Sequence, residues 1–196
     1  MDEGLSLRER KRLATMRHVQ SVAIALFDAH GFGGVTIEQV AAAAEVSPSS
    51  IYRHFGTKEQ LVLWDEYDPM LLGRFGELLV GNPPVEAMRE LLRTTGHPLL
   101  GSNEDRVMAS VRWWNEEPSV ALAAAAQFAD TVQGIAHVLA QVYRRDPAEL
   151  EVQVVAAALV GAVEAALRTW YRSGFEPPLL ELLDRALATL DDGLER

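Results

Sequence analysis

The sequence predicts an all-α protein with an N-terminal unit of three helices and a longer C-terminal helical body. Apolar residues recur at intervals of three and four along residues 13–27, and helix-capping residues stand at Thr36, Ser47 and Thr57. No stretch alternates apolar and polar residues in the way that is typical of strands. The chain has 196 residues, of which 48% are apolar, so it is long enough to bury a sizeable core.

The first helix is predicted from one apolar face that ends before the glycine-rich residues 31–34. This face comprises Leu13, Met16, Val19, Val22, Ala23, Leu26 and Phe27. We expect its last residues to join a small core under the helices that follow. The expected core is Leu26, Phe27, Phe32, Ile37, Val40, Ala41, Ile51 and Phe55.

Capping signals predict where the next three helices begin. Thr36 with Gln39 forms a capping box, and Ser47 before Pro48 places a capping hydroxyl ahead of a proline at the first helical position. Thr57 with Gln60 repeats the box just after Gly56. Two short helices joined by a tight turn form a helix-turn-helix, whose second helix enters the DNA major groove by its N-terminal residues.

The residue types in this unit suit a DNA duplex. Small residues at the start of the second short helix allow close approach to base edges, and longer polar side chains nearby reach phosphates. Tyr52 is either a contact or a core residue, and the basic run at residues 8–12 is either an arm toward DNA or a solvated helix start. The predicted contacts are Arg12, Thr36, Ser47, Pro48, Ser49, Ser50, Tyr52, Arg53, His54 and Lys58.

The segment resembles the DNA-binding domain of the TetR family of bacterial repressors over roughly residues 10–62. One departure is Glu45, which occupies a turn position where the family often has glycine. It must adopt a positive φ or a different turn. The resemblance rests on Thr36, Ile37, Val40, Ala41, Ala44, Val46, Ser47, Ile51, Tyr52, His54, Phe55, Lys58 and Leu61.

Charge is segregated along the chain. The net charge of −10 argues against a nucleic-acid partner, but residues 5–58 carry seven basic and four acidic side chains, so this part has a net charge of +3. The remainder therefore carries −13. This distribution predicts salt-dependent DNA binding of moderate affinity by the N-terminal unit and repulsion of DNA by the body.

Loop signals divide the body into further helices. They lie at residues 81–84, 97–103, 117–119, 145–147 and 174–178, which leaves long helices over residues 120–143 and 148–171. The helix that begins after Thr57 is expected to carry Trp64 and Tyr67 before Pro69 ends or kinks it. In the resembled family the corresponding helix transmits ligand occupancy, so a break near Pro69 would form a hinge.

The helix over residues 148–171 is apolar on all sides. Only Gln153 is polar between Val152 and Val163, and this implies burial on every side. As in the resembled family, we expect this helix and the amphipathic C-terminal segment of each subunit to form a four-helix homodimer interface. Such a dimer presents two recognition helices roughly 34–36 Å apart to DNA. The predicted interface is Val152, Val155, Leu159, Val163, Leu167, Leu182, Leu183 and Leu187.

The resemblance also implies a small-molecule effector pocket in the body. Residues 167–190 loosely resemble the family branch with an acyl-CoA-like ligand-binding domain, so a fatty acyl-CoA is one candidate effector. Each candidate residue is otherwise a packed core residue, and Glu164 and Arg168 are expected to pair with each other. The pocket candidates are Trp64, Tyr67, Met88, Met108, Arg112, Trp113, Phe128, His137 and Trp170.

Other function classes are disfavoured by what the sequence lacks. It has no cysteine, no metal-binding His-Glu pair, no phosphate-binding glycine loop and no nucleophile elbow, so we expect no enzyme, metal or cofactor. No signal peptide or membrane span is expected, which favours the cytoplasm. We predict a DNA-binding domain over residues 1–56 and a ligand-binding and dimerisation domain over residues 57–196. The rival interpretation is a helical dimer without specific DNA binding.

Overall fold

The computed structural model describes residues 6–66, 68–101 and 103–193, without the side chains of residues 68, 69, 97–99 and 192. Over these ranges the fold is helical and contains no strand, so the predicted all-α class is confirmed. The helices are α1 (Leu7–His30), α2 (Ile37–Ala43), α3 (Pro48–Phe55), α4 (Gln60–Leu63), α5 (Asp68–Leu78), α6 (Pro84–Gly101), α7 (Glu104–Glu116), α8 (Pro118–Tyr143), α9 (Leu150–Arg172) and α10 (Leu179–Asp192).

The capping signals of the N-terminal unit operate as predicted. The Thr36 hydroxyl accepts a hydrogen bond from Gln39 N at 3.2 Å, and the Gln39 side chain accepts one from Thr36 N at 2.8 Å. The Ser47 hydroxyl accepts from Ser50 N at 3.2 Å, with Pro48 at the first position of α3. The predicted core residues are buried except Leu26, which is partly buried against the same core.

The turn between α2 and α3 places Glu45 in the left-handed region, with φ 55°. Glu45 N donates to Ala42 O at 3.3 Å and Val46 N donates to Ala41 O at 3.0 Å, which is the bonding pattern of a Schellman motif. The motif needs a left-handed residue at this position, and glycine adopts it without strain. The first of the two possibilities for Glu45 is therefore the correct one.

The helix that follows Thr57 is much shorter than predicted. It ends at Leu63, and Trp64 has an extended backbone with φ −59° and ψ 125°. Pro69 is the second residue of α5 and therefore lies at a helix start, where its missing N–H costs little. The prediction of a break at Pro69 is wrong, because the chain leaves the helix at residues 64–66 instead.

The loop predicted at residues 97–103 is also wrong, since α6 continues to Gly101. Its packing explains why the local signal fails. A Cβ on Gly96 would lie 2.4 Å from Leu180 Cδ2, so glycine here allows α10 to pack against the backbone of α6. Ala87 and Leu91 of α6 are buried as well, and this packing outweighs the local preference for a loop.

Helix α9 packs mainly against α8 and α10, but it is not buried on every side within the subunit, because Leu150 and Val154 are exposed. By length and composition it could cross a membrane, but the same test is passed by the core helices of other proteins. Its buried residues include Ala156 and Trp170. Of the predicted dimer-interface residues, Val155, Val163 and Leu167 are partly buried. The other five are buried in the core of the subunit and therefore cannot form an interface with a second subunit: Val152, Leu159, Leu182, Leu183 and Leu187.

We expect Glu45→Gly to stabilise the protein, because glycine relieves the strain of the left-handed turn residue. The gain should be about 0.5–1 kcal/mol after the entropy of the more flexible unfolded chain is subtracted. Thermal or urea unfolding measures it. Ala43→Gly, at the last helical residue of α2, is the matched control and should lose stability, by less than the roughly 1 kcal/mol that glycine costs in a helix interior. A loss of stability in Glu45→Gly would contradict the strain argument.

Candidate functional site

The first surface of interest is the N-terminal end of α3. Ser47, Pro48 and Ser49 are exposed, and the Ser47 and Ser49 hydroxyls lie 3.0 Å apart. The hydroxyl of Ser50 accepts a hydrogen bond from Arg53 Nη2 at 3.3 Å. These small side chains leave the helix end open to a close approach, which is the property needed by a helix that enters a groove.

Longer polar side chains surround this helix end. Tyr52 is 51% exposed, so it is available for contact and is not a core residue. Arg53, Arg12 and Thr36 are exposed too. Partial burial, followed by the positive charges of Arg53 and Arg12, lowers the pKa of His54 below its ordinary value. His54 is therefore mainly neutral at neutral pH in the free protein.

Lys58 differs from the other predicted DNA contacts because its ammonium group is bonded within the chain. Its ammonium donates a hydrogen bond to Phe32 O and sits 4.2 Å from the centre of the Phe32 ring and 5.4 Å from that of Phe27. Partial burial lowers the pKa of Lys58, although the carboxylates of Glu59 and Glu117 act in the opposite direction. Lys58 thus ties the segment before α4 to the loop after α1, a structural role that the sequence did not reveal.

The second surface is a partly open cavity of about 530 Å³ in the helical body, lined by residues of α1, α5, α6, α7, α8 and α9 and by the end of α4. Its volume falls in the range of small-molecule sites. Its wall is mainly apolar and contains two tryptophans, Trp64 and Trp114. Of the predicted pocket residues, Trp64, Met88 and Phe128 line it.

Five other predicted pocket residues do not line this cavity, and Tyr67 lies outside the described residues. His137 is exposed on α8, with Nδ1 2.7 Å from Gln133 O, and Trp170 is buried against Phe175. Met108 packs into the core. Arg112 and Trp113 bind Asp28 of α1, with Trp113 Nε1 donating at 3.1 Å, so they dock α7 onto the N-terminal unit.

Polar residues that the sequence did not single out connect the cavity to α1. Gln20, fully buried on α1, lines the cavity and donates from Nε2 to Trp64 O at 3.0 Å. Its Oε1 accepts from Arg106 Nη1 at 3.2 Å. Arg106 and Arg17 both pair with the Glu66 carboxylate, which is 2% exposed. The only sequence signal was Gln20 itself, a polar residue within the apolar face of the first helix.

The aromatic ring of Trp64 connects the cavity to α3. It packs edge-on against Phe55, the last residue of α3, with ring centres 5.7 Å apart. Such a pair stabilises by about 0.5–1.5 kcal/mol beyond the area it buries. A molecule that displaced Trp64 would therefore disturb its contact with α3, the helix whose N-terminal end has the exposed serines.

Comparison with protein families matches both parts of the chain. Residues 21–63 match the model of bacterial regulatory proteins of the tetR family. Residues 82–195, more than half of the chain, match the model of the MftR C-terminal domain.

Similar proteins point in the same direction. The transcriptional regulator TcmR of Streptomyces glaucescens is 35% identical over 92 residues, which span 46% of this chain and 41% of TcmR. MftR of Mycobacterium tuberculosis, named for mycofactocin biosynthesis, is 25% identical over 95% of this chain and 94% of its own. The crystal structure of the repressor FadR from Thermus thermophilus with lauroyl-CoA covers 92% of this chain and 96% of FadR, with a TM-score of 0.57 and 22% identity, which shows a shared fold.

We expect Lys58→Met to destabilise the protein by about 1 kcal/mol, because it removes a charged hydrogen bond and a cation–π contact. A chain of this length should then lose roughly 2–4 °C in thermal midpoint. Lys11→Met is the matched control, since Lys11 is exposed, and should change the midpoint little. Equal midpoints for the two variants would mean that the Lys58 contacts contribute nothing.

Proposed function

Because the chain belongs to the TetR family of bacterial regulatory proteins, we propose that it is a ligand-responsive transcriptional repressor. It binds a palindromic operator as a homodimer and releases it when a small apolar effector enters the helical body. A fatty acyl-CoA is the first effector to test, and the protein acts in the cytoplasm. Family members are regulators and not enzymes.

Operator binding is supported by the exposed N-terminal end of α3. Its serines face base edges in this proposal, while Arg53 and His54 hold phosphates on one side and Arg12 and Thr36 on the other. Lys58 uses part of its donor capacity within the chain, and an ammonium has three N–H groups, so it still has donors for a phosphate. The proposal includes a DNA-binding domain over residues 1–56 and a ligand-binding and dimerisation domain over residues 57–196.

The single observation that carries the effector proposal is the junction of the cavity with α4. Trp64, at the end of α4, lines the cavity and packs on Phe55 of α3, and Gln20 of α1 lines it as well. An effector in the cavity therefore touches Trp64, which packs on α3, and Gln20, which belongs to α1. It shifts the protein toward a state with lower operator affinity only to the extent that it binds that state better.

Homodimerisation is supported by the outer side of α9. Leu150 is 72% exposed and Val154 is 55% exposed, and the exposed residues Ala157, Gly161 and Ala165 continue the same face. A Cβ on Gly161 would meet no atom of its own subunit. Glycine inside a helix is destabilising relative to alanine, and it becomes useful where a second helix must approach closely.

The decisive experiment measures binding to a labelled duplex taken from upstream of the protein's own coding region, against a random duplex of equal length. We expect preferential, salt-dependent binding that weakens when lauroyl-CoA is added, with coenzyme A alone as the control. Equal affinity for both duplexes would favour the rival helical dimer without specific DNA binding. Failure of acyl-CoAs of several chain lengths to change either operator binding or the thermal midpoint would exclude that effector class.

Operator affinity should rise as the pH is lowered from about 8 toward 6. His54 has a lowered pKa in the free protein, and a phosphate beside it would favour the imidazolium, so binding takes up a proton. Anisotropy titrations across this range measure the effect, which is at most about tenfold per pH unit. His54→Gln should flatten the profile and the exposed-site control His30→Gln should not. A profile unchanged in His54→Gln would remove His54 from the contact set.

Gly161→Glu should convert the dimer to a monomer and abolish operator binding, because it places charges at the closest approach of two α9 helices. Light scattering gives the mass. The matched control is Gly73→Glu, at another helical glycine where a Cβ meets nothing. It should stay dimeric. A dimeric Gly161→Glu protein would place the interface elsewhere.

A further inference from the structure

Two glutamines from different helices hold the end of α4, and both line the cavity. Gln20 Nε2 donates to Val62 O at 3.4 Å and to Trp64 O at 3.0 Å. Gln127 of α8 donates from Nε2 to Leu63 O at 3.4 Å. Three successive carbonyls at the helix end therefore obtain their donors from side chains in the cavity wall.

The two amide oxygens differ in their surroundings. Gln20 Oε1 accepts a hydrogen bond from Arg106. Gln127 Oε1 is buried and accepts no hydrogen bond from any described residue. The amide cannot be turned round to remove this difference, because Leu63 O is an acceptor and requires the nitrogen to face it. Gln127 Oε1 is thus a buried acceptor without a donor, on a residue that lines the cavity, and a donor on a bound molecule reaches it once the wall around it opens.

The rest of the cavity restricts what that donor can be. The wall around Gln127 is apolar, with Phe128, Val163 and Leu167 among its residues. The charged groups on the lining are Asp65, Asp130 and Arg106, and Arg106 already pairs with Glu66. Asp65 and Asp130 are exposed and Arg106 is already paired, so the described lining offers no unengaged cation to an anionic group of the ligand.

We propose that Gln127 is a specificity-determining residue of the cavity and that the effector is an apolar molecule with a neutral O–H or N–H donor directed at Gln127 Oε1. This inference rests on the proposed function, because it concerns the same effector cavity. One amide then receives a bond from the effector and donates one to Leu63 O. The polar end of the effector is thereby linked to α4 through a single side chain.

The test uses the full chain and two probes of similar size, 1-dodecanol and dodecyl methyl ether, of which only the alcohol is a donor. Binding is followed by the intrinsic fluorescence of the four tryptophans, two of which, Trp64 and Trp114, stand in the cavity wall, and by the thermal midpoint. The affinity ratio of alcohol to ether is measured for the unmodified protein and for Gln127→Met. We expect Gln127→Met to lower this ratio about tenfold, because its thioether is a much weaker acceptor.

Two further variants make the result specific. Thr131→Val removes a different hydrogen-bonding group from the same wall and should leave the ratio unchanged. Gln127→Glu keeps an oxygen acceptor at the position but loses the amide donor to Leu63 O, so only its affinity ratio is compared. That ratio should still favour the alcohol, which tests the proposal even if Gln127→Met fails to fold. The proposal is overturned if the affinity ratio is the same in the unmodified protein and in Gln127→Met. It is also overturned if Gln127→Glu loses the preference for the alcohol, or if neither probe binds.

Operator binding by the unliganded protein is measured in parallel. Absence of operator preference would reject the proposed function while leaving the donor preference of the cavity to stand on the probe ratios. Intact operator preference with no donor preference would reject only the role of Gln127.

Discussion

Three consecutive backbone carbonyls at the end of α4 constrain much of this molecule. A helix of four residues cannot satisfy its own C-terminal carbonyls, and burial of these groups without partners would cost free energy. Gln20 and Gln127 supply the donors from opposite sides, one from the N-terminal unit and one from the body. The position of α4 is therefore set by side chains that belong to the helices on each side of it.

The residues directly after α4 extend this connection by charge and by packing. The Glu66 carboxylate is nearly inaccessible to water and lies between Arg17 of α1 and Arg106 of α7. Removing one partner of a buried ion pair costs far more than forming the pair gains, so this arrangement favours one packing of α1 on the body. Trp64 adds an aromatic contact to α3. The short segment after α4 thus joins the cavity wall to α1 and α3 of the N-terminal unit.

The two C-terminal helices, α9 and α10, differ in how much apolar surface they expose. Leu182, Leu183 and Leu187 of α10 point into the subunit, whereas the outward side of α10 is mostly polar, includes the Asp184 pair with Arg89 and exposes Leu190. On α9, buried residues face the core and a row of small and aliphatic residues remains exposed. In a proposed dimer, α9 would therefore contribute most of the apolar contact.

Local chemistry made several features of this protein predictable from its sequence alone. The helix caps at Thr36 and Ser47 and the apolar face of α1 depend on residues close in the chain, so the pattern of residues determines them. For Glu45 the sequence left a positive φ and a different turn open, and the structure shows the positive φ. The tertiary structure decided the rest. The length of α4, the continuation of α6 past residue 97, and the choice of Trp64, Met88 and Phe128 over Trp113 and Trp170 as cavity residues depend on contacts between distant segments. Hydrophobicity indicates that a side chain is buried, but only packing determines whether it meets the core, a cavity or another subunit.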